Sequence, residues 1–399
     1  MPALSSISRR IAFACVALVA GFALSACEPI DFRNFGGFGG AGAGPGIDTT
    51  RAVPVALLVP RSSAEGGQII AASLENAARM AIQDLGGASI DLRVYDTAGQ
   101  AGQASIVAQQ AVAEGAQIIV GPFFAASANA AGLAVAPQGV NVLAFSNNTA
   151  VAGGNVFVLG NTFQNSANRL VSYASSQGKG KMYIIHAQDA AEEIGATAIR
   201  NAVGNSVQAE LVGSGSFPLS QQGVTRAISG FSKDAKSSGA QSVFFTSGTA
   251  GAMPFLADLL PGAGLPPSAV QYIGLQRLDI PSSALSLGGL QGSWFAIPDP
   301  SLAAGFRARY SERFGTDPHP TAGLAYDGIA AVGALVSEGS RDALSVRSLT
   351  RSAGFVGTGG VWRLRTDGTN DRALAVAQIR NNQVSIIDPA PRSFGGAGF

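Results

Sequence analysis

The feature that most constrains the fold is a regular alternation of short apolar runs with segments of helical period, which begins at Val53. The run Val53 to Val59 predicts a buried strand, and after Gly66-Gly67 the apolar residues recur every three or four positions up to Leu85. The same pattern continues as a strand at Ile90 to Tyr95, a helix at Ser105 to Glu114 and a strand at Gln117 to Val120. Three successive βα units predict a parallel sheet with crossover helices.

The alternation extends far enough along the chain to predict a second sheet. Further strands are predicted at Asn141 to Phe145, Val156 to Leu159, Met182 to Ile185, Val207 to Val212, Val243 to Thr246, Val270 to Ile273 and Ser293 to Ile297. Towards the end, Ser301 to Phe314 and Thr321 to Glu338 have helical patterns, and Gly360 to Leu364 and Ala373 to Ile379 look extended. Asn381-Asn382 then predicts a hairpin turn into Val384 to Ile387.

The first 27 residues predict export and lipidation. Arg9 and Arg10 precede an apolar run, Ile11 to Ala23, and Leu24-Ser25-Ala26 lead into Cys27. Basic, apolar and small-residue segments in this order form a secretory signal. The segment resembles the bacterial lipobox, which implies removal of residues 1–26 and acylation of Cys27. The alternatives are an ordinary cleaved signal and a membrane anchor; the apolar run is shorter than the ~20 residues of a transmembrane helix.

Residues 27–50 predict a lipidated, Gly-rich tether. The stretch from Asp31 to Thr50 is too rich in glycine to form a core, and a flexible chain of ~20 residues spans roughly 25 Å. Phe32, Phe35 and Phe38 leave open the alternative that this segment docks on a partner or on the membrane surface.

Composition excludes several classes of function. The formal net charge is +1, and charged residues make up only 13% of the chain, so no basic surface for nucleic acid is expected. With Cys15 removed and Cys27 acylated, no cysteine remains for a disulfide in the mature chain. His186 and His319 are the two histidines in the sequence, so we expect no structural zinc site, and no motif indicates a cofactor.

The sequence also lacks the common motifs of enzymes. It contains no Gly-x-Ser-x-Gly elbow, His-Glu-x-x-His helix or P-loop. His186 and Asp189 lie near each other, but without a neighbouring nucleophile we predict that His186 is a strand-terminal residue. Glu192-Glu193 is predicted to form the first turn of a helix, where acidic residues are favoured. We therefore predict that the protein is not an enzyme.

Several motifs in a fixed order resemble the type I periplasmic-binding fold, in particular the leucine/isoleucine/valine-binding family. They are Val55 to Pro60, Gly66 with the helix that holds Asn76 and Ala77, Asp91 to Asp96, Ile118 to Pro122, Phe314-Gly315 with Pro318, and Ala325 to Gly328. The resemblance covers about Val53 to Ile387. It implies an α/β architecture of two lobes, each a mostly parallel sheet flanked by helices, with a ligand cleft between them.

The resemblance also implies a domain organisation. Lobe 1 is expected to contain residues 51–160 plus 318–352, and lobe 2 residues 161–317 plus 353–388. Residues 389–399 are predicted to form a loose tail.

In this family a serine after the third strand binds the carboxylate of the ligand. Ala125 matches that position, and Ser127, two residues later, is predicted either to donate to the ligand or to cap the following helix. Thr149 matches the threonine that the family has after the fourth strand, and Asn147 adds polar capacity.

In lobe 2 the family has a tyrosine and a glutamate that pairs with the ammonium group of the ligand. These positions fall on Gly248 and Gln276. A neutral amide cannot replace the charge of a carboxylate, so binding of a standard α-amino acid is disfavoured. We predict Ser127, Asn147, Thr149 and Gln276 as residues that bind a small polar ligand such as an amino acid; the alternative for Gln276 is an ordinary surface loop residue.

Two functions are implied by the resemblance. The first, which we favour, is that of a periplasmic lipoprotein, anchored through Cys27, that delivers a solute to an ABC permease. The alternative is an activator lipoprotein of penicillin-binding proteins, which contacts a peptidoglycan synthase. Leu290 to Phe295 and Gly360 to Leu364 with Asp367 to Asn370 resemble the second branch.

Overall fold

The computed structural model describes residues 45–48, 50–64, 66–86 and 89–395. The predicted signal peptide, Cys27 and most of the tether lie outside the described residues, as do the last four residues of the tail. Within the described part of the chain, no helix has both the length and the apolar character that a membrane span requires.

The described residues form strands and helices in close agreement with the predicted alternation. The strands are β1 (Val53–Val59), β2 (Ile90–Asp96), β3 (Ile118–Val120), β4 (Asn141–Ala144), β5 (Val156–Val158), β6 (Lys181–Ala187), β7 (Glu210–Phe217), β8 (Ser242–Phe245), β9 (Gln271–Gly274), β10 (Trp294–Ile297), β11 (Phe355–Gly357), β12 (Gly360–Leu364), β13 (Asn370–Arg372), β14 (Ala375–Arg380) and β15 (Gln383–Asp388). The α-helices are α1 (Gly67–Asp84), α2 (Ala101–Ala113), α3 (Ala125–Val135), α4 (Phe163–Ser176), α5 (Ala190–Gly204), α6 (Gln221–Ser237), α7 (Met253–Gly262), α8 (Pro300–Phe314), α9 (Ala322–Ser337) and α10 (Val346–Leu349).

The first sheet contains five parallel strands in the order β2-β1-β3-β4-β5. Its inner strand β1, between β2 and β3, is buried on both faces. Val55 and Leu57 point into one apolar cluster with α1, and Ala56 and Leu58 point into another with α2 and α3. A strand covered by helices on both sides needs apolar residues at successive positions, which explains the unbroken apolar run in the sequence.

The second sheet contains seven strands in the order β15-β14-β10-β9-β8-β6-β7. The five strands from β10 to β7 are parallel, whereas β14 and β15 are antiparallel to their neighbours. Tyr183 and Ile185 contact the cluster beneath α6 and α7, and Met182 and Ile184 contact the cluster beneath α4 and α5. The prediction of two mostly parallel sheets, each flanked by helices, is confirmed.

The predicted hairpin at the end of the chain is present. β14 and β15 pair through a two-residue turn in which Asn381 and Asn382 have φ values of 51° and 61°. Positive φ at both central residues is the geometry of a type I′ turn, and asparagine is among the few residues that tolerate it.

The largest boundary error concerns β7, which was predicted at Val207 to Val212 and instead spans Glu210–Phe217. Val207 is fully exposed. Because β7 is the edge strand of the sheet, its second half is the alternating Gly-Ser segment from Gly213 to Ser216, which has no apolar pattern to predict it.

Packing assigns two segments differently from the predicted lobe boundaries. Phe306 and Tyr310 of α8, and Phe355 and Trp362 of β11 and β12, are buried in the same cluster as β1, whereas the predicted division placed these segments in lobe 2. Crossing segments can pack on either sheet whatever their position in the sequence, so the sequence order alone did not decide between them.

The end of the chain also differs from the expected loose tail. Ala390 is only 7% exposed, and the guanidinium of Arg363 lies 4.4 Å from the centre of the Phe394 ring. Residues up to 394 therefore pack on the body of the protein.

Candidate functional site

A cavity of about 870 Å³ lies where the carboxyl ends of strands from both sheets meet. Residues that follow β3, β4 and β5 line one part of it, and Arg277 after β9 and Pro298 after β10 line another. Residues of α8, the start of α9, the turn between β11 and β12 and the end of β13 also line it. The volume falls within the range of small-molecule sites, and the position matches the crevice at strand ends where α/β proteins bind ligands.

Aromatic rings form much of the wall on the side of the first sheet. Phe123 and Phe124 follow β3, and their rings meet edge to face with centroids 5.1 Å apart. His319 packs against Phe123 at 6.4 Å, and its Nδ1 lies 2.8 Å from Oγ1 of Thr321. Burial lowers the pKa of His319 below its ordinary value of 6.5, so its ring is neutral at pH 7.

Ser127 does not line the cavity. It is the third residue of α3 and is fully buried, and its Oγ has no hydrogen-bond partner among the described residues. The N-cap of α3 is Phe124, without a side-chain cap, so the alternative role predicted for Ser127 as an N-cap is wrong. Ala125 lies on the cavity wall instead.

Asn147 and Thr149 follow β4, but only Asn147 lines the cavity, together with its neighbour Asn148. Thr149 begins a short 3₁₀ turn, Thr149–Val151, that is capped by Asn148, whose side chain accepts a 2.9 Å hydrogen bond from the backbone N–H of Ala150. Thr149 is exposed outside the cavity wall.

The two positions matched to the family's tyrosine and glutamate lie next to each other. A Cβ atom at Gly248 would lie 2.7 Å from Oε1 of Gln276. Nε2 of Gln276 donates a 2.8 Å hydrogen bond to the backbone carbonyl of Thr246. The amide is therefore bonded to the main chain just after β8, and Gln276 does not line the cavity.

The carboxylate of Glu192 is hydrogen-bonded to groups of the protein at the ends of β6 and β8. As predicted, Glu192 lies in the first turn of α5. Its carboxylate accepts hydrogen bonds from the backbone N–H of Ala187 at 2.6 Å, from Oγ1 of Thr246 at 3.0 Å and from Oγ of Ser247 at 2.7 Å. These bonds join the ends of β6 and β8 to the start of α5.

The sequence did not predict the buried ion pair in the cavity wall. Asp327 on α9 is 1% exposed, and its Oδ2 lies 3.1 Å from Nη1 of Arg372 on β13. The backbone N–H of Thr358 donates to Oδ1 of Asp327 at 2.7 Å. A Cβ atom at Gly357, the last residue of β11, would lie 2.7 Å from the same carboxyl group, so this position requires glycine.

β13 also holds the segment that leaves the first sheet. Arg372 donates through Nε to the carbonyl of Leu159 at 2.7 Å. Nδ2 of Asn370 donates to the carbonyls of Val158 at 2.7 Å and Gly160 at 2.9 Å. Since residues 158–160 lead from β5 towards α4, two side chains fix the crossing between the sheets.

The position of Asp327 in the apolar stripe of α9 is the sequence signal that indicates a buried acid with a partner. Its neighbours on the buried face of α9 are apolar or small, namely Ala325, Gly328, Ile329, Ala331 and Val332. An acid on such a face needs a buried partner. The sequence could not identify that partner as Arg372, which is 45 positions away.

The other charged side chains of the wall are more exposed. Arg307 pairs with Asp317, with Nε of Arg307 3.0 Å from Oδ1, and Arg277 pairs with Asp279 at 2.9 Å through Nε. Hydrogen bonds from Arg307 and Ser311 lower the pKa of Asp317 to about 2. Among the described residues, no three His, Cys, Asp or Glu side chains are grouped so that they could bind a metal ion.

These features define a class of protein: two α/β bodies joined by crossing segments, with a ligand-sized cavity at the ends of their strands. The chain belongs to the periplasmic binding protein family, whose family model matches residues 52–383. This family consists of extracytoplasmic solute-binding proteins rather than enzymes.

Solved structures share the fold at low sequence identity. A protein from Rhodospirillum rubrum, described as a branched-chain amino acid ABC transporter, has a TM-score of 0.71 at 18% identity and covers 84% of this chain and 100% of its own. A branched-chain amino acid ABC transporter periplasmic ligand-binding protein from Burkholderia xenovorans has a TM-score of 0.65 at 20% identity, with 87% and 95% covered.

A third structure contains a ligand. The branched-chain amino acid transporter substrate-binding protein LivJ of Streptococcus pneumoniae, in complex with isoleucine, has a TM-score of 0.56 at 14% identity, with 86% and 100% covered. No curated protein sequence matches this chain significantly.

Proposed function

We propose that this protein is a lipid-anchored solute-binding protein of the cell envelope that delivers a small ligand to an ABC permease. The observation that carries the proposal is the cavity of about 870 Å³ at the strand ends of both sheets, in a chain that belongs to a solute-binding family. The branched-chain amino acid transport proteins of the same fold support it.

The proposal treats the two sheets with their packed helices as halves that close on the ligand about the crossing segments. Hinge closure is the usual response of binding proteins of this kind. Asn370 and Arg372 bond to residues 158–160 in one of these crossing segments, and we expect the hinge motion to occur at these contacts.

A thermal-shift screen tests the binding function. A ligand present at 100 times its dissociation constant stabilises the folded state by about 2.7 kcal/mol. We expect at least one pool of amino acids, short peptides, polyols or aromatic compounds to raise the melting temperature of the full chain. If no pool moves the melting temperature, the proposal is wrong.

The anchor is a separate part of the proposal, and it rests on the lipobox at Leu24 to Cys27. We expect cells fed a radiolabelled fatty acid to label the protein, and the substitution Cys27→Ala to abolish the label. Labelling of the Cys27→Ala protein would contradict acylation at this residue.

The second candidate is an activator that contacts a penicillin-binding protein. The observation in its favour is that the position matched to the family's glutamate is Gln276, whose amide is bonded to the carbonyl of Thr246. Affinity purification from membranes distinguishes the two: copurification of a permease supports transport, and copurification of a peptidoglycan synthase without any ligand response supports the activator.

A further inference from the structure

The charged side chains in the cavity wall are all paired with side chains of opposite charge. Five formally charged side chains line the cavity among the described residues: Arg277, Arg307, Asp317, Asp327 and Arg372. Asp317 and Asp327 pair with Arg307 and Arg372, and Arg277 pairs with Asp279 just outside the wall. Three arginines thus face three aspartates, and His319 is neutral at pH 7 because burial lowers its pKa.

Each charged side chain of the wall already bonds to a partner of opposite charge, so a charged ligand would have to compete with that partner. An ammonium group needs an acid, but both acids of the wall are bonded to arginines, and Glu192 near Gln276 accepts bonds from Ala187, Thr246 and Ser247. Burying a charge without a partner costs several kcal/mol. A cationic or zwitterionic ligand is disfavoured on this ground.

A ligand carboxylate is disfavoured by the same pairs. The Nη2 amino group of Arg372 is buried and has no acceptor among the described residues. An anion placed there would lie beside the carboxylate of Asp327, 3.1 Å from the same guanidinium. A carbonyl or hydroxyl oxygen can accept this bond without adding a second negative charge.

The rest of the wall consists of ring surfaces and neutral polar groups. Phe123, Phe124 and Phe306 provide the rings, and Asn147 and Asn161 provide amides that both donate and accept hydrogen bonds. Flat apolar surfaces with a few uncharged polar groups suit a ligand with a ring or aliphatic body and amide, carbonyl or hydroxyl substituents.

We infer that the cavity selects a non-ionic solute, one that carries neither an ammonium nor a carboxylate group, with a ring or aliphatic body and neutral hydrogen-bonding substituents. This inference rests on the proposed solute-binding function. It separates this protein from the relative solved with isoleucine.

A series of probes with one carbon skeleton and different charge tests the inference. The probes are 3-phenylpropanamide (uncharged), 3-phenylpropanoate (anion), L-phenylalanine (zwitterion) and 3-phenylpropan-1-amine (cation). Each is titrated calorimetrically at pH 7 into the full chain in detergent, with detergent alone as the blank. We expect the uncharged amide to bind at least tenfold more tightly than each of the other three.

Substitutions at two neighbouring residues of α8 show whether the measured heat of binding arises in the cavity. Ala303 lines the cavity, whereas Ala304 is exposed and lies outside it. Ala303→Trp should abolish binding of 3-phenylpropanamide, and the matched control Ala304→Trp should leave it unchanged.

The outcomes separate the inference from the function on which it rests. If a charged probe binds as tightly as the amide, or more tightly, and Ala303→Trp abolishes its binding, the inference is wrong while solute binding stands. If no probe gives heat that depends on Ala303, the inference is wrong, and the independent thermal-shift screen decides whether the proposed function fails with it.

Discussion

Asp327 is a carboxylate in the core of the protein, and its environment is built from two other parts of the chain. Arg372 provides the opposite charge, Thr358 provides a backbone N–H, and Gly357 provides the space. A buried pair of this kind gains from Coulomb attraction but loses the hydration of both ions, so its net contribution is small as long as both partners are present. Removing one partner exposes the full desolvation cost.

We expect Asp327→Asn to lower the free energy of unfolding by about 3–5 kcal/mol, because Arg372 stays buried without its counter-ion. Chemical denaturation measures the change. The matched control is Asp317→Asn, which breaks an exposed pair in the same cavity wall and should cost far less. Equal losses in the two variants would contradict the role of burial.

The stability of the protein should depend on Asp317 in acid. Hydrogen bonds from Arg307 and Ser311 lower its folded-state pKa to about 2, from an ordinary value of 3.8. A lowered pKa stabilises the fold above the unfolded-state value, and this contribution is lost as the pH falls from about 3.8 to about 2.

The measurement is the melting temperature of the wild type minus that of Asp317→Asn between pH 2 and pH 6. We expect a positive difference above pH 4 that shrinks towards zero near pH 2. A difference that stays constant across this range would show that Asp317 acts without its charge.

At the scale of elements, the start of α5 depends on a single side chain. Oδ1 of Asp189 accepts hydrogen bonds from the backbone N–H groups of Ala191 at 2.9 Å and Glu192 at 3.4 Å, and so caps α5. The same turn positions the Glu192 carboxylate that joins β6 and β8. The cap at Asp189 therefore stabilises the ends of β6 and β8 as well as the first turn of α5.

We expect Asp189→Ala to cost about 0.5–2 kcal/mol, because the first turn of α5 loses its side-chain acceptor. Urea denaturation of the full chain measures the loss. Asp189→Asn keeps an oxygen in the same place and should cost clearly less; an equal loss in both variants would show that capping is not the cause.

At the scale of the whole molecule, β13 links the two sheets. Asn370, 3% exposed, donates to Val158 and Gly160, and its Oδ1 accepts a 2.7 Å hydrogen bond from Nδ2 of Asn165 at the start of α4. One amide side chain therefore ties the exit from β5 to the first helix of the other body.

We expect Asn370→Ala to speed hydrogen exchange of the backbone amides at 158–162 roughly tenfold, which corresponds to about 1.4 kcal/mol of lost local stability. Mass spectrometry after deuterium labelling measures the rate. Asn205→Ala, an exposed change after α5, serves as the control and should leave this segment unchanged. Unchanged exchange in Asn370→Ala would mean that Asn370 does not hold the crossing.

How much could be predicted from the sequence differs between the core and the site. The apolar run of β1 and the stripe of α1 predicted their elements closely because each records local burial. Of the residues predicted to bind a ligand, Asn147 lines the cavity, Ser127 is buried, and Thr149 and Gln276 lie outside the cavity wall. Matching along the chain gives the strand end near which a residue lies, and the direction of its side chain depends on how the following turn packs.

The sequence by itself determined the alternation of strands and helices, the two parallel sheets and the final hairpin, because these follow from local periodicity and turn chemistry. Tertiary structure alone decided that α8, β11 and β12 pack on the first sheet, that Asp327 meets Arg372, and that the charges of the cavity wall cancel in pairs. Such contacts join residues far apart in the chain, and their energies depend on distance and burial in the folded protein, which no local pattern records.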